Sequence, residues 1–104
     1  MTLNLSLDIG VAELAMVREI LLRHVPNARV YVFGSRATGR AKKFSDLDLC
    51  IQSDRPLGLD VMSALAEDFS ESDLPWKVDI VDWATIKPEF RKIIDQDKIV
   101  LERH

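Results

Sequence analysis

The sequence predicts an α+β domain in α/β-type layering: a small mixed β-sheet with helices packed on one face. Three observations carry this expectation. Strand-length runs rich in β-branched, aromatic and aliphatic residues recur at Val30–Phe33, Leu47–Gln52 and Trp76–Trp83. Segments with apolar residues at three- and four-residue spacing alternate with them. The chain has 104 residues, of which 47% are hydrophobic and 30% charged, which suits one core and little else. We therefore expect a single domain over residues 1–104.

The elements follow in chain order. Leu3, Leu5 and Leu7 alternate with polar residues and predict a short extended arm. Asp8 is placed to cap a helix from Ile9 to Arg23 whose apolar stripe comprises Val11, Leu14, Ala15, Leu21, Leu22 and Val25, with Val17 and Ile20 beside it. Pro26-Asn27 ends it. Val30–Phe33 reads as a buried strand ending at Gly34. Ser35 to Gly39 predicts a single helical turn, followed by a polar loop to Lys43. In the strand Leu47–Gln52, Leu47, Leu49 and Ile51 face one way and Asp48 and Cys50 the other, with Asp46 just ahead on the second side. A loop through Arg55–Gly58 leads to Asp60, which precedes a helix running to about Phe69. The third strand puts Val78 and Ile80 on one face and Asp79 and Val81 on the other. Thr85 and Pro88 open a short helix with the stripe Ile86, Phe90, Ile93 and Ile94. Lys98 to Glu102 predicts a last strand at a sheet edge.

Bulk properties exclude several function classes. A net charge of -3 argues against a broad nucleic-acid-binding face, so no direct nucleic-acid partner is expected. A local basic cluster does exist, because Arg36, Arg40, Lys42 and Lys43 fall within eight positions. The single cysteine, Cys50, allows neither an internal disulfide nor a cysteine zinc site, and fits a reducing cytoplasm. No apolar run approaches a membrane span, and residues 1–7 lack the features of a secretory signal. The expected location is cytoplasmic. His24 and His104 have no second ligand at metal spacing and read as surface histidines.

The candidate chemistry lies between Gly34 and Asp48, with one further acid, Asp79. Residues two apart on a strand share a face, so Asp46 and Asp48 project together about 7 Å apart at the backbone. Ionising both in a cleft is costly, and a divalent cation removes that cost. Magnesium suits the site because it takes carboxylates together with phosphate oxygens. A solvated strand end is the alternative. Gly34 lets the backbone turn sharply and approach a ligand closely. The first amides of the following turn and the Ser35 hydroxyl can donate to phosphate, or Ser35 can simply cap the turn. Arg36 and Arg40 carry planar donors suited to offsetting phosphate charge. Lys42 and Lys43 read as a solvated loop. Asp79 sits in the apolar run Val78-Asp79-Ile80-Val81 and can share a face with Asp46 and Asp48, or lie exposed on an open sheet face. Three such carboxylates could bind two metals and activate an attacking hydroxyl. Asp82, of opposite parity, reads as a strand end or cap.

Gly-Ser, ten residues, Asp-x-Asp, and a later Asp in a Val-Asp-Ile-Val strand together resemble the minimal nucleotidyltransferases of the DNA polymerase β superfamily. The resemblance covers nearly the whole chain. It implies the nucleotidyltransferase fold and transfer of a nucleoside monophosphate from a nucleoside triphosphate with two Mg2+ ions. It also implies that Gly34 and Ser35 hold the triphosphate, that Asp46 and Asp48 ligate both metals, and that Asp79 ligates the catalytic metal and helps deprotonate the acceptor. More narrowly, the chain resembles the antitoxin of HEPN–nucleotidyltransferase toxin–antitoxin pairs. That resemblance implies transfer of AMP from ATP to a tyrosine of a HEPN-domain toxin. No added acceptor-binding domain is evident, which favours a protein partner; assembly as a homo- or hetero-oligomer is left open. Two alternatives stand beside this reading. One is a non-catalytic antitoxin that masks the toxin by binding, and the other is a small-molecule nucleotidyltransferase.

Overall fold

A computed structural model describes residues 7–101. Its elements run α1 (Val11–His24), β1 (Arg29–Phe33), α2 (Ser35–Thr38), β2 (Leu47–Gln52), α3 (Leu59–Glu71), β3 (Val78–Asp82), α4 (Pro88–Asp97) and β4 (Ile99–Val100). The expected alternation of helix and strand is present throughout. The predicted arm at Leu3 and Leu5, and the end of the last strand at Glu102, lie outside the described residues.

The four strands form one mixed sheet in the order β3-β2-β1-β4. β1 runs antiparallel to β2 and β4, whereas β2 and β3 are parallel. A parallel pair needs a crossover, and α3 supplies it between β2 and β3. The main core lies between one sheet face and the helices α1 and α3. It contains Val17, Ile20 and Leu21 of α1, Leu65 and Phe69 of α3, Val30 and Val32 of β1, and Leu47, Leu49 and Ile51 of β2.

The architecture is the α+β one expected, with one correction to its layering. Only α1 and α3 share a face. α4 packs on the other, where Ile94, with Phe90 and Ile86, covers Tyr31, Phe33 and Cys50. The reason lies in β1. A run that is apolar at every position has two faces to bury, and Tyr31 and Phe33 point away from Val30 and Val32. Phe33 and Phe90 meet edge to face with centroids 5.8 Å apart.

Two further corrections concern α1. Asp8 does not cap it; Gly10 is the N-cap residue, without a side-chain cap bond. The buried stripe is Val17, Ile20 and Leu21, while Val11 is 85% exposed and Leu22 also faces solvent. Apolar residues surround much of this helix, so their spacing does not select one face. Docking against α3 and the sheet does. In α4 the buried residue is Ile94, and Ile93 is 55% exposed.

Candidate active site

The site forms where the end of β1 meets the starts of β2 and β3. Phe33 stands opposite Asp48 in the antiparallel register. Asp48 stands opposite Asp79 in the parallel one. The two acids therefore share the sheet face expected of them, on adjacent strands. Asp46 precedes β2 by one residue and is exposed. Asp48 is half-buried. Phe33, closed off by Phe90, supplies an apolar wall beside it.

Gly34 turns the chain out of β1 with φ 74° and ψ -155°, a conformation open to glycine and strained for other residues. A side chain there would also collide with the carboxylate of Asp48. The single helical turn α2 then begins at Ser35. Gly34, not Ser35, is its N-cap residue, and no side chain caps it. Ala37 and Thr38 donate their amides to the Gly34 carbonyl. The amides of Ser35 and Arg36 precede that first bond, as expected at the start of a helical turn.

The cost of carrying charge in this cluster falls on Asp48. Its carboxyl is pushed up from 3.8 to about 6, chiefly by burial and then by the charges of Asp79 and Asp46. The repulsion among these acids is what a hard divalent cation relieves, and all the donors are carboxylate oxygens, so the residues fit magnesium in donor chemistry. The side chains are not gathered into a finished cage, however. Among the described residues no three His, Cys, Asp or Glu side chains are grouped to hold one metal ion. Asp79 is 48% exposed and lies 3.9 Å from the Lys77 ammonium.

Arg36 departs from the role its sequence position suggested. It is 5% exposed, and its donors are engaged by main-chain carbonyls rather than left free to offset phosphate charge. Nε and Nη2 donate to the Ser45 carbonyl at 3.1 and 2.8 Å, and Nη1 donates to the Asp8 carbonyl at 2.7 Å. Nη2 also reaches the carbonyls of Lys42 and Lys43. Its guanidinium lies 4.6 Å from the centre of the Trp76 ring. The physical reason is that the 40–45 loop turns main-chain carbonyls inward, and buried carbonyls require donors. Arg40, just past the left-handed Gly39, is exposed, as are Lys42 and Lys43.

The other acids and nucleophiles have structural settings. Asp82 is buried, ends β3 and accepts hydrogen bonds from the amides of Leu57 at 2.9 Å and Ala84 at 3.1 Å, in keeping with the strand end or cap expected of it. Cys50 is packed under α4, and burial pushes its thiol up to about 11, which makes it unreactive. His24 contacts Asp68, which also accepts from Arg23, so this cluster ties α1 to α3. His104 lies outside the described residues. The residues that sequence reasoning missed at the site are Phe90, Trp76 and Asp8. All three reach it through long-range contacts that leave no local spacing signal.

A glycine-serine turn packed against acids on paired strands of a mixed sheet is the arrangement of an enzyme that transfers nucleotides. The family model described as nucleotidyltransferase domain matches residues 14–101, and the chain belongs to that family. A Haemophilus influenzae protein named probable protein adenylyltransferase MntA is 51% identical over 102 residues, which span 98% of this chain and 90% of the relative. Among solved structures, a toxin–antitoxin complex with AMP-PNP superposes with a TM-score of 0.74 at 22% identity, over 88% of this chain and 73% of that one. A complex of a tri-AMPylated Shewanella oneidensis HEPN toxin with an MNT antitoxin superposes with a TM-score of 0.67 at 20% identity, over 88% and 70% of the two chains. These structural likenesses bear out the fold. Among the described residues no helix is long and apolar enough to cross a membrane.

Proposed function

We propose that this nucleotidyltransferase moves AMP from ATP to a tyrosine hydroxyl of a HEPN-domain toxin, in a magnesium-dependent reaction, and thereby acts as its antitoxin. The observation that carries the proposal is the parallel register that sets Asp79 beside Asp48, next to the Gly34 turn. The protein acceptor is supported by the MntA relative at 51% identity, named as a protein adenylyltransferase. The HEPN partner is supported by the likeness to a complex containing an AMPylated HEPN toxin.

In this reading the Gly34–Ser35 turn binds the triphosphate through its leading amides and the Ser35 hydroxyl. Exposed Arg40 contributes positive charge at the other end of the turn. Arg36 does not contact phosphate. Asp46, Asp48 and Asp79 are the residues that would hold two magnesium ions. Magnesium supplies neutralisation of phosphate charge and lowers the cost of ionising the acceptor hydroxyl. The acceptor oxygen forms a bond to the α-phosphorus, the bond to the bridging oxygen breaks, and pyrophosphate leaves with that electron pair. Asp79 takes up the hydroxyl proton. Phe33 and Phe90 form the apolar side of the site and restrict water there.

The test is an intact-mass measurement of the HEPN partner after incubation with ATP and magnesium. The expected result is a gain of one or more AMP units that disappears with Asp46→Asn, Asp48→Asn or Asp79→Asn. Silencing of the toxin with no mass change, preserved in those variants, would replace transfer with steric masking.

A further inference from the structure

We infer that Arg36 is a positioning residue, a buried clamp that holds Asp46 and Asp79 in place for metal binding. The inference rests on the transferase reading above for its consequence, but its geometry stands independently.

Four separate stretches of chain meet at this one guanidinium. The first is α2, which carries Arg36 itself beside Ser35. The second is the 42–45 stretch, whose carbonyls at Lys42, Lys43 and Ser45 all accept from the fork. Ser45 is the residue before Asp46, so two donors are fixed on the peptide that leads into that acid. The third is the segment ahead of α1. Asp8 donates its amide to the Arg36 carbonyl at 2.9 Å and accepts from Nη1, a reciprocal pair of bonds. The fourth is the approach to β3, where Trp76 lies against the guanidinium. Lys77 then accepts the Leu47 amide at 2.9 Å, and Asp79 follows two residues later. One side chain thus ties the phosphate-turn helix to the entries of both acid-bearing strands.

The chemistry requires arginine. A planar fork can serve several carbonyls in fixed directions while its face stacks on an aromatic ring, and an ammonium cannot do both. The clamp matters because the 40–45 loop has little else to hold it. Its own bonds are the Arg40 amide to the Ser35 carbonyl, and a Lys42–Ser45 turn in which the Ser45 amide bonds the Lys42 carbonyl and the Lys42 amide bonds the Ser45 hydroxyl. Groups that orient metal ligands without touching the metal commonly influence affinity strongly.

The experiment compares the intact protein with Arg36→Lys and Arg36→Met. Manganese(II) is titrated in the presence of AMP-PNP and followed by the electron paramagnetic resonance of free manganese, while AMP-PNP binding is measured separately in EDTA. A clamp weakens manganese binding by about tenfold or more in both variants, leaves metal-free AMP-PNP binding within twofold, and speeds amide exchange at Lys42 and Ser45. If metal-free AMP-PNP binding falls instead, Arg36 is a phosphate ligand and the inference is overturned. If manganese half-saturation is unchanged and only the bound fraction drops, Arg36 serves folding alone and the inference is also overturned. Should both variants fail to fold, the wild-type protein decides through the hydrogen-bond scalar coupling between Arg36 Nε and the Ser45 carbonyl. The clamp keeps that coupling when magnesium and AMP-PNP are added, and its loss overturns the inference. A wild-type protein that binds manganese and AMP-PNP but transfers no AMP would sink the transferase reading alone.

Discussion

The carboxylate of Asp48 fills the space that a side chain at Gly34 would need. A Cβ added to Gly34 would lie 3.2 Å from Asp48 Cγ and closer still to Oδ2. Backbone turn and candidate metal ligand are therefore packed as one unit, and a side chain at Gly34 would displace Asp48.

Gly34→Ala is expected to be damaging twice over. Forcing alanine to φ 74° costs about 1–3 kcal/mol of stability. The displaced Asp48 lowers AMP transfer by about 100-fold, the order associated with a 1 Å misplacement at a reacting centre. Denaturant unfolding and the mass assay measure the two effects. A variant of wild-type activity would show that the close approach of Gly34 and Asp48 is dispensable.

Asp48 makes the metal-free protein less stable as pH rises. Its carboxyl titrates near 6 in the folded protein and near 3.8 when unfolded. Between these values the native state binds more protons, so stability falls with increasing pH across this window. The cost of ionising Asp48, chiefly its burial and then the charges of Asp79 and Asp46, is absent below about 4 and fully present only well above about 6. We expect the stability difference between wild type and Asp48→Asn in EDTA to shift in favour of the variant from pH 4 to pH 7. Saturating magnesium should cancel that shift. A pH-independent difference between the two proteins would rule out a raised Asp48.

Two acids of β3 should separate cleanly. Asp82→Ala leaves the Leu57 and Ala84 amides without their acceptor and costs about 3 kcal/mol. Asp79→Asn, at a half-exposed position, changes stability by no more than about 0.5 kcal/mol. It lowers AMP transfer by about 100-fold or more. Urea unfolding together with the mass assay checks both. An Asp79→Asn protein that unfolds easily, or that transfers normally, contradicts the assignment.

The second core is tested by neighbours on α4. Ile94 is fully buried against β1 and β2, so Ile94→Ala should cost about 2–5 kcal/mol. Ile93 faces solvent, and Ile93→Ala should stay within about 0.5 kcal/mol of wild type. Equal effects in thermal melts would mean that α4 is not docked as described.

Alternation along a strand is a local property, and it was legible. The parity of Asp48 against Leu47 and Leu49, and of Asp79 against Val78 and Ile80, already required both acids to face away from the main core. The Gly34 turn, the single turn of α2 and the capping role of Asp82 were likewise readable, because each depends on a few adjacent residues. The sheet order that sets Asp48 beside Asp79 instead depends on which strands pair. The face taken by α4 depends on β1 having a second apolar side to cover. The direction of Arg36 depends on carbonyls at Asp8, Lys42, Lys43 and Ser45 that the folded chain turns inward. By itself the sequence determined which residues are candidates for the chemistry and which way their strands present them. Tertiary structure alone decided which residues support them, because an arginine's donors go to whichever buried acceptors the surrounding chain leaves unsatisfied.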